Sequence, residues 1–171
     1  MYFSNDTIGW FLDTANASQL RCVCELIAHE MEVRECNKRA RLYRRARFPQ
    51  VKSFESYDFS QVGFPEGYSK EDLMSLAFVD AAQDFVFHGQ TGRGKTHLAI
   101  AIGNACVQAG KTARFYTAAE LAMALGTANR EHSLETMLKD IDRNDLLILD
   151  EFGYVPIDVE SARLLFQVAS S

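Results

Sequence analysis

An α/β fold, a parallel sheet flanked by helices, is predicted by three observations. A glycine-bracketed loop at residues 89–96 lies between a short strand-like run and a helical periodicity. A second apolar run, 145–151, ends in two carboxylates. Strand-like and helix-like segments alternate around both, and strands joined through helices lie parallel in one sheet.

The loop reads GQTGRGKT. Gly89 and Gly94 bracket Gln90, Thr91, Gly92 and Arg93, and Lys95, Thr96 and His97 follow. GxxxxGK[ST] arises by chance in under about 1% of chains of this length. The glycines let successive backbone N–H groups turn inward around phosphates. Lys95 would reach the β- and γ-phosphate oxygens, and the Thr96 hydroxyl would ligate Mg²⁺. Asp84 to Phe87, β-branched and aromatic, is expected as the strand before the loop. Leu98, Ala99, Ile102, Ala105 and Cys106 recur at helical spacing after it, and Gly110 ends that helix. Residues 89–97 are therefore expected to hold a nucleoside triphosphate with Mg²⁺. A glycine turn that merely precedes a lysine-bearing helix is the plainer alternative, and the strand-loop-helix setting argues against it.

In DLLILDE, residues 145–151, four consecutive apolar residues suit a strand buried on both faces of a parallel sheet, with its acids emerging at the carboxyl edge where ligands bind. Asp150 is expected to hold Mg²⁺. Glu151 is expected to orient and deprotonate the attacking water, so Glu151 and Lys95 are the catalytic candidates. Taken alone, the run would be an ordinary buried strand capped by solvated acids; the upstream loop decides for the functional reading.

With 171 residues, 47% hydrophobic, the chain has enough apolar residues for one domain core. No apolar run is long enough for a bilayer and no basic segment precedes the first one, so no membrane role and a cytoplasmic address are expected. Cys22, Cys24, Cys36 and Cys106 form no CxxC pair, and reduced, partly buried thiols are expected; Cys24, His29 and Cys36 are a weak zinc candidate.

Charge is unevenly spread. Residues 34–47 hold seven basic residues against one acid, a local +6, which leaves −11 for the rest of a chain whose total is −5. Ser18 is expected to cap a helix whose apolar face, Leu20, Cys24, Ile27 and Met31, continues at the same azimuth as Arg34, Lys38, Arg41 and Arg45. That stripe and Arg44 are candidate DNA-phosphate contacts. Like charges at i, i+4 destabilise an isolated helix, and an anionic partner offsets them. The plainer alternative is a solvated basic helix that balances an acidic body.

The chain thus divides into residues 1–17, unassigned; 18–50, a basic helix stopped before Pro49; 51–69, a linker with Gly63, Pro65 and Gly67; and 70–171, a partial nucleotide-binding domain. The linker aromatics Phe54, Tyr57 and Phe59 either line an adenine pocket or, as linker aromatics more commonly do, staple it to the core. Ser69, with Asp72, caps a helix to about Ala82. Thr112 to Tyr116 is a strand, Thr117 and Glu120 form a capping box for a helix around Leu121 to Leu125, and Leu134, Met137, Leu138 and Ile141 mark another helix.

The segments GQTGRGKTHLAIAIG, ARFYTAAEL and LLILDEFGYVPID followed by SARLLFQ, with RARFPQVKSFESYDF upstream, resemble the IstB-type transposition helper ATPases, relatives of the DnaC-type helicase loaders in the AAA+ class of P-loop NTPases. The likeness covers about Glu25 to Ala169. It implies an ATPase that assembles on DNA, engages a transposase and, in complete members, forms homo-oligomers. A replicative helicase loader and a non-enzymatic DNA-binding adaptor are the alternatives. Met1 to Ala17 departs from the family pattern, and the family's next strand, its polar sensor and its arginine finger lie beyond Ser171, so the AAA+ domain is expected to be carboxyl-terminally truncated and turnover slow or absent. The family's strand order, 5-1-4-3-2, would leave Asp84–Phe87 and Asp145–Asp150 separated by a strand this chain does not reach. Either those edges stay unpaired and the chain is marginally stable, or the two segments pair directly.

Overall fold

The computed structural model describes residues 3–152 and 159–169, and the tail Gly153 to Pro156 lies outside them. The chain forms two compact units, residues 1–38 and 39–171.

In the first unit, α1 (Asn5–Thr14) starts at Ser4, whose Oγ accepts from Thr7 N. Residues 1–17, unassigned in the sequence, thus contain a helix. α2 (Ala17–Ala46) begins there and runs on into the second unit. Its cap is Asn16, not Ser18: Asn16 Oδ1 accepts from Gln19 N and Gln19 Oε1 accepts from Asn16 N, both at 2.9 Å. A side-chain amide bonds back as well as a hydroxyl, and Gln19 at the third helical position completes the reciprocal box. Trp10, Leu26, Ile27 and Met31 each expose half or more of their surface. Cys22, Cys24 and Cys36 are exposed too, against expectation. Cys24, His29 and Cys36 do not meet: no group of three metal-ligating side chains occurs among the described residues. Five and seven residues along a straight helix separate them by about 7 and 10 Å in rise alone.

The second unit is the α/β body. Ser69 and Asp72 form the expected capping box, yet the helix breaks in two, α3 (Lys70–Ser75) and α4 (Ala77–Asp80). Leu76 is the break, at φ 61, and it is buried along with Leu73 and Phe78. One left-handed residue puts all three into the same core cluster. That core outweighs the cost of a positive φ at a branched side chain.

Residues 83–90 have no regular secondary structure, so the expected strand Asp84–Phe87 is not formed. A strand is defined by its ladder, and no described strand runs beside this one. Phe85 and Phe87 still pack on the core, while Val86 between them is 88% exposed, the alternation of a strand with no neighbour.

α5 (Lys95–Gln108) follows the loop and is the most buried helix, with Leu98, Ile100, Ile102, Cys106 and Val107 all at 3% exposure or less. Gly110, φ 80, ends it: Gly110 N donates to the Val107 carbonyl and Lys111 N to that of Cys106, the paired bonds of a left-handed C-cap. Burial pushes the Cys106 thiol up to about 11, so it stays protonated and inert in the core.

β1 (Ala113–Thr117) leads through the Thr117–Glu120 capping box into α6 (Ala118–Arg130), which is longer than the periodicity around Leu121–Leu125 suggested. α7 (Leu134–Asp142), β2 (Leu146–Asp150) and α8 (Val159–Ala169) complete the order. β1 and β2 pair in parallel, Ala113 against Leu146 through Thr117 against Asp150. α5 packs on one side of this pair, with Ile100, Phe115 and Ile148 in one cluster; α6, α7 and α8 supply another around Leu121, Leu125, Ile141 and Leu165. The chain is thus an α/β protein of the P-loop NTPase type, with a two-stranded parallel sheet among the described residues. Direct pairing of Asp84–Phe87 with β2 does not occur there.

Where β1 and β2 begin, Asp145 Oδ2 accepts from Thr112 N at 2.7 Å and Thr112 Oγ1 at 2.6 Å. The Thr112 hydroxyl, then its amide, holds the Asp145 carboxyl below the usual carboxylate range. A depressed folded pKa means the ionised form stabilises the fold. That contribution is complete above the unfolded value near 3.9 and is lost as pH falls through the lower folded value. Asp145→Asn should therefore lower stability by about 1 kcal/mol at pH 7, at the small end because the pair is open to solvent screening. It should also flatten the loss between about pH 4 and pH 2. Urea midpoints of parent and variant across that range check this; parallel curves would remove Asp145 from the role.

Candidate functional site

The glycines of the loop take the backbone that a phosphate cradle requires. Gly89, Gly92 and Gly94 have φ 153, 82 and 81, all positive, and Gly94 is the N-cap of α5 in left-handed conformation. Gly94 also has no room for a side chain: a Cβ there would lie 2.9 Å from Tyr57 Cε2. Gly89 to Arg93 are exposed, Gly94 and Lys95 half-buried. The loop is thus an open rim over the amino end of a 14-residue helix, whose first N–H groups lack intrahelical partners and carry the positive end of its dipole.

Lys95 is folded into that rim. Its Nζ donates to the carbonyls of Gly89 at 2.7 Å and Gln90 at 3.0 Å. An ammonium held by two loop carbonyls is placed where an anion entering the loop would meet it, and phosphate oxygens would compete with those carbonyls. Thr96, in the first turn of α5, exposes its side chain. His97 is elsewhere: its Nε2 lies 3.2 Å from Ser56 Oγ and 3.4 Å from the Ser53 carbonyl, and its ring meets Tyr57 edge-on at 5.2 Å. It belongs to the contact between α5 and the linker. Gln90 and Arg93 contribute main-chain carbonyls, to Lys95 and Tyr57 respectively, and Thr91 sits in the turn between them.

Asp150 is the last residue of β2, half-buried and paired with Thr117. Glu151 follows at φ 57 and is exposed. A left-handed residue at a strand's carboxyl end turns the chain off the sheet, and a non-glycine residue held there is strained, which occurs preferentially at functional sites. Mg²⁺ suits this donor set, since it is held by one or two protein oxygens beside phosphate and water and does not need a protein cage.

The linker aromatics do not form a free pocket. Phe54, Tyr57 and Phe59 pack against the core cluster of Leu98 and Ile102, with Tyr57 and Phe59 edge-on at 4.9 Å. The core alternative is the one the structure adopts. Its signal was the spacing of three aromatics in a glycine- and proline-punctuated segment; that Tyr57 would reach Gly94 had no signal in sequence.

Among the DNA candidates, Arg34 pairs with Glu30 one turn away at 2.6 Å, and Arg45 Nη2 reaches Asp140 of α7 at 2.9 Å. Lys38, Arg41 and Arg44 are exposed. The carbonyl of Arg45 accepts from Arg114 Nη1 at 2.7 Å, which ties the last turn of α2 to β1.

The sequence profile of the IstB-like ATP binding protein family matches residues 11–171. The ATP-binding protein of insertion sequence IS232 from Bacillus thuringiensis subsp. berliner is 36% identical over 154 residues, 88% of this chain and 60% of that protein. The corresponding protein of IS21 from Pseudomonas aeruginosa is 40% identical over 126 residues, 73% of this chain and 47% of its own length. The replicative helicase loader DnaC of Escherichia coli is 35% identical over 103 residues, 59% of this chain and 42% of the loader. The chain therefore spans about half to three fifths of the length of its insertion-sequence relatives. With a profile match over nearly all of its length, the chain belongs to the IstB-like ATP binding protein family.

Proposed function

We propose that the chain binds Mg-ATP at Gly89–Thr96 and acts on DNA as the helper of a transposase. The observation that carries the nucleotide part is Lys95 Nζ inside a rim of three positive-φ glycines at the start of α5. The backbone N–H groups of the loop and the first turn hold the phosphates, Lys95 exchanges its carbonyl partners for phosphate oxygens, and the Thr96 hydroxyl and Asp150 carboxylate hold Mg²⁺. Bound there, Mg²⁺ neutralises phosphate charge. Glu151 accepts the proton of the attacking water at its carboxylate.

The transposition part draws on the insertion-sequence relatives, whose likeness covers 88% and 73% of the chain, against 59% for the helicase loader. Loading of a replicative helicase is the second reading, favoured by the DnaC likeness. Co-purification of the native chain with a transposase encoded beside it, against co-purification with a ring helicase, separates the two. A cytoplasmic address, and homo-oligomers of the longer family members on DNA, accompany either reading.

Lys95→Ala should weaken Mg-ATP binding at least about tenfold, since it removes the ammonium seated in the rim and leaves the core intact. Calorimetric titration measures it, and undiminished affinity would sink the loop assignment. In a longer homologue with the same site, the Gln substitution at the position of Glu151 should keep ATP bound while steady-state turnover falls about 10²-fold or more. Unchanged turnover would take the general-base role from Glu151.

For DNA, Arg41→Ala and Arg44→Ala should each weaken duplex binding alike for all sequences and lower the slope of log affinity against log salt by about 1. Arg45→Ala should move that slope less, because Asp140 already neutralises its guanidinium. Affinity that is indifferent to salt would overturn the phosphate reading.

A further inference from the structure

The linker that follows α2 runs back along α5 and stops against the phosphate loop. Asn104 Nδ2 donates to the Lys52 carbonyl at 3.1 Å. About two helical turns nearer the loop, His97 Nε2 faces the Ser53 carbonyl and Ser56 Oγ. Tyr57 then reaches the loop itself, its hydroxyl 3.5 Å from the Arg93 carbonyl and its ring against Gly94. As the linker number rises from 52 to 57, the partner number falls from 104 to 93: the linker is an antiparallel strap on the nucleotide helix. Phe59 backs the Tyr57 ring at 4.9 Å, and Lys70 Nζ sits 4.6 Å from the centre of the Phe59 ring.

A glycine at a helix N-cap visits positive and negative φ with nearly equal ease, so a phosphate loop ending in one is not preorganised by its own chemistry. Here the volume where a side chain of Gly94 would stand is taken by the Tyr57 ring. The ring thus packs directly against the Gly94 backbone, on the side a side chain would occupy. In turn, any rearrangement of the Arg93–Gly94 peptide must move the ring. Phosphate oxygens entering the loop would compete for the Lys95 ammonium with the Gly89 and Gln90 carbonyls that it now bridges, so the loop backbone is the part placed to respond.

We propose that Tyr57, supported by His97 and Ser56, is a positioning residue for the nucleotide, which holds Gly94 in the conformation that starts α5 and passes the state of the loop into the linker behind it. This rests on the ATP-binding reading of the loop. Tyr57 and His97 touch the loop and the strap, and act on the nucleotide through Gly94. The residues reading the nucleotide state would thus include a segment whose sequence, SFESYDF, carries no nucleotide-binding pattern.

The test measures Mg-ATP affinity by calorimetry and hydrogen exchange of the backbone over residues 51–61, with and without Mg-ATP, in the parent chain and in Tyr57→Ala, Tyr57→Phe, His97→Ala and Lys95→Ala. In the parent, Mg-ATP should slow exchange across residues 53–57 severalfold. Tyr57→Ala should weaken ATP about tenfold and abolish that protection. Tyr57→Phe, which keeps the ring against Gly94, should stay within about twofold of the parent. His97→Ala should reduce the protection in the same direction. Should Tyr57→Ala unfold, His97→Ala and the exchange of the parent chain decide. Linker exchange that ignores ATP, or Tyr57→Ala and His97→Ala variants that bind as the parent does while Lys95→Ala does not, would overturn the proposal alone. A parent chain that does not bind Mg-ATP would overturn the site reading and this proposal with it.

Discussion

At Gly103 helix α5 has no side chain, and the space a methyl group would need is filled from two directions. A Cβ there would lie 2.6 Å from the Phe48 ring and 2.7 Å from Ile148 Cδ1. The close approach lets the segment after α2 and the strand β2 meet on one helix, with Ile100 and Phe115 closing the cluster. Interiors pack at crystal-like density, so a missing methyl on the helix sets the distance between the elements on its flanks. The loop that precedes α5 inherits that placement: its glycines take positive φ at no side-chain cost, at the start of a helix that is itself packed in place.

That packing also explains why the loop is both built and open. The core ends at Leu98, 2% exposed, while Gly89 to Arg93 are exposed. Between them Gly94 and Lys95 take the transition, one held by the Tyr57 ring and the other by two carbonyls of the loop itself. Those carbonyl contacts satisfy a cation that burial would otherwise penalise. They are neutral partners. A polyphosphate would offer the same ammonium charge-assisted bonds, roughly twice as strong, which is the exchange the proposed site calls for.

Much of this was legible because its causes are local. The loop, the Thr117–Glu120 and Ser69–Asp72 boxes, the Gly110 stop and the apolar run before Asp150 each rest on residues within a few positions of one another. What escaped rests on contacts distant in sequence or on a choice between neighbouring local options. Asp84–Phe87 has the composition and the alternating burial of a strand, but strandedness is a property of a pair, and no composition supplies the neighbour. Leu76 breaks a well-capped helix because Leu73 and Phe78 must share one core, which periodicity in either half does not reveal. The α2 cap is Asn16 because Gln19 answers it, whereas Ser18 has Arg21 three residues on and no reciprocal partner. Arg45 read as one member of a cationic stripe; Asp140, 95 residues away, takes its guanidinium.

That last pairing bears on how a basic helix can belong to an acidic body. The final carbonyls of α2 are the negative end of its dipole, and Arg114 Nη1 caps one of them from β1 while its own guanidinium stacks 4.9 Å over the Tyr116 ring. Arg45 meanwhile turns its charge to Asp140 on α7. Two arginines thus fix the carboxyl end of the helix, one by donating to its backbone and one by giving up its own side chain to a carboxylate. Ala46, fully buried, shows that this end is also packed, and Arg47 at φ 57 then turns the chain into the strap along α5. Exposed surface pairs contribute little to stability, about 0 to 1 kcal/mol, so what such contacts chiefly supply here is orientation. Arg41 and Arg44 remain exposed on a helix end held in place against the same body that carries the phosphate loop, so the direction in which they present their charge is determined by the fold of that body.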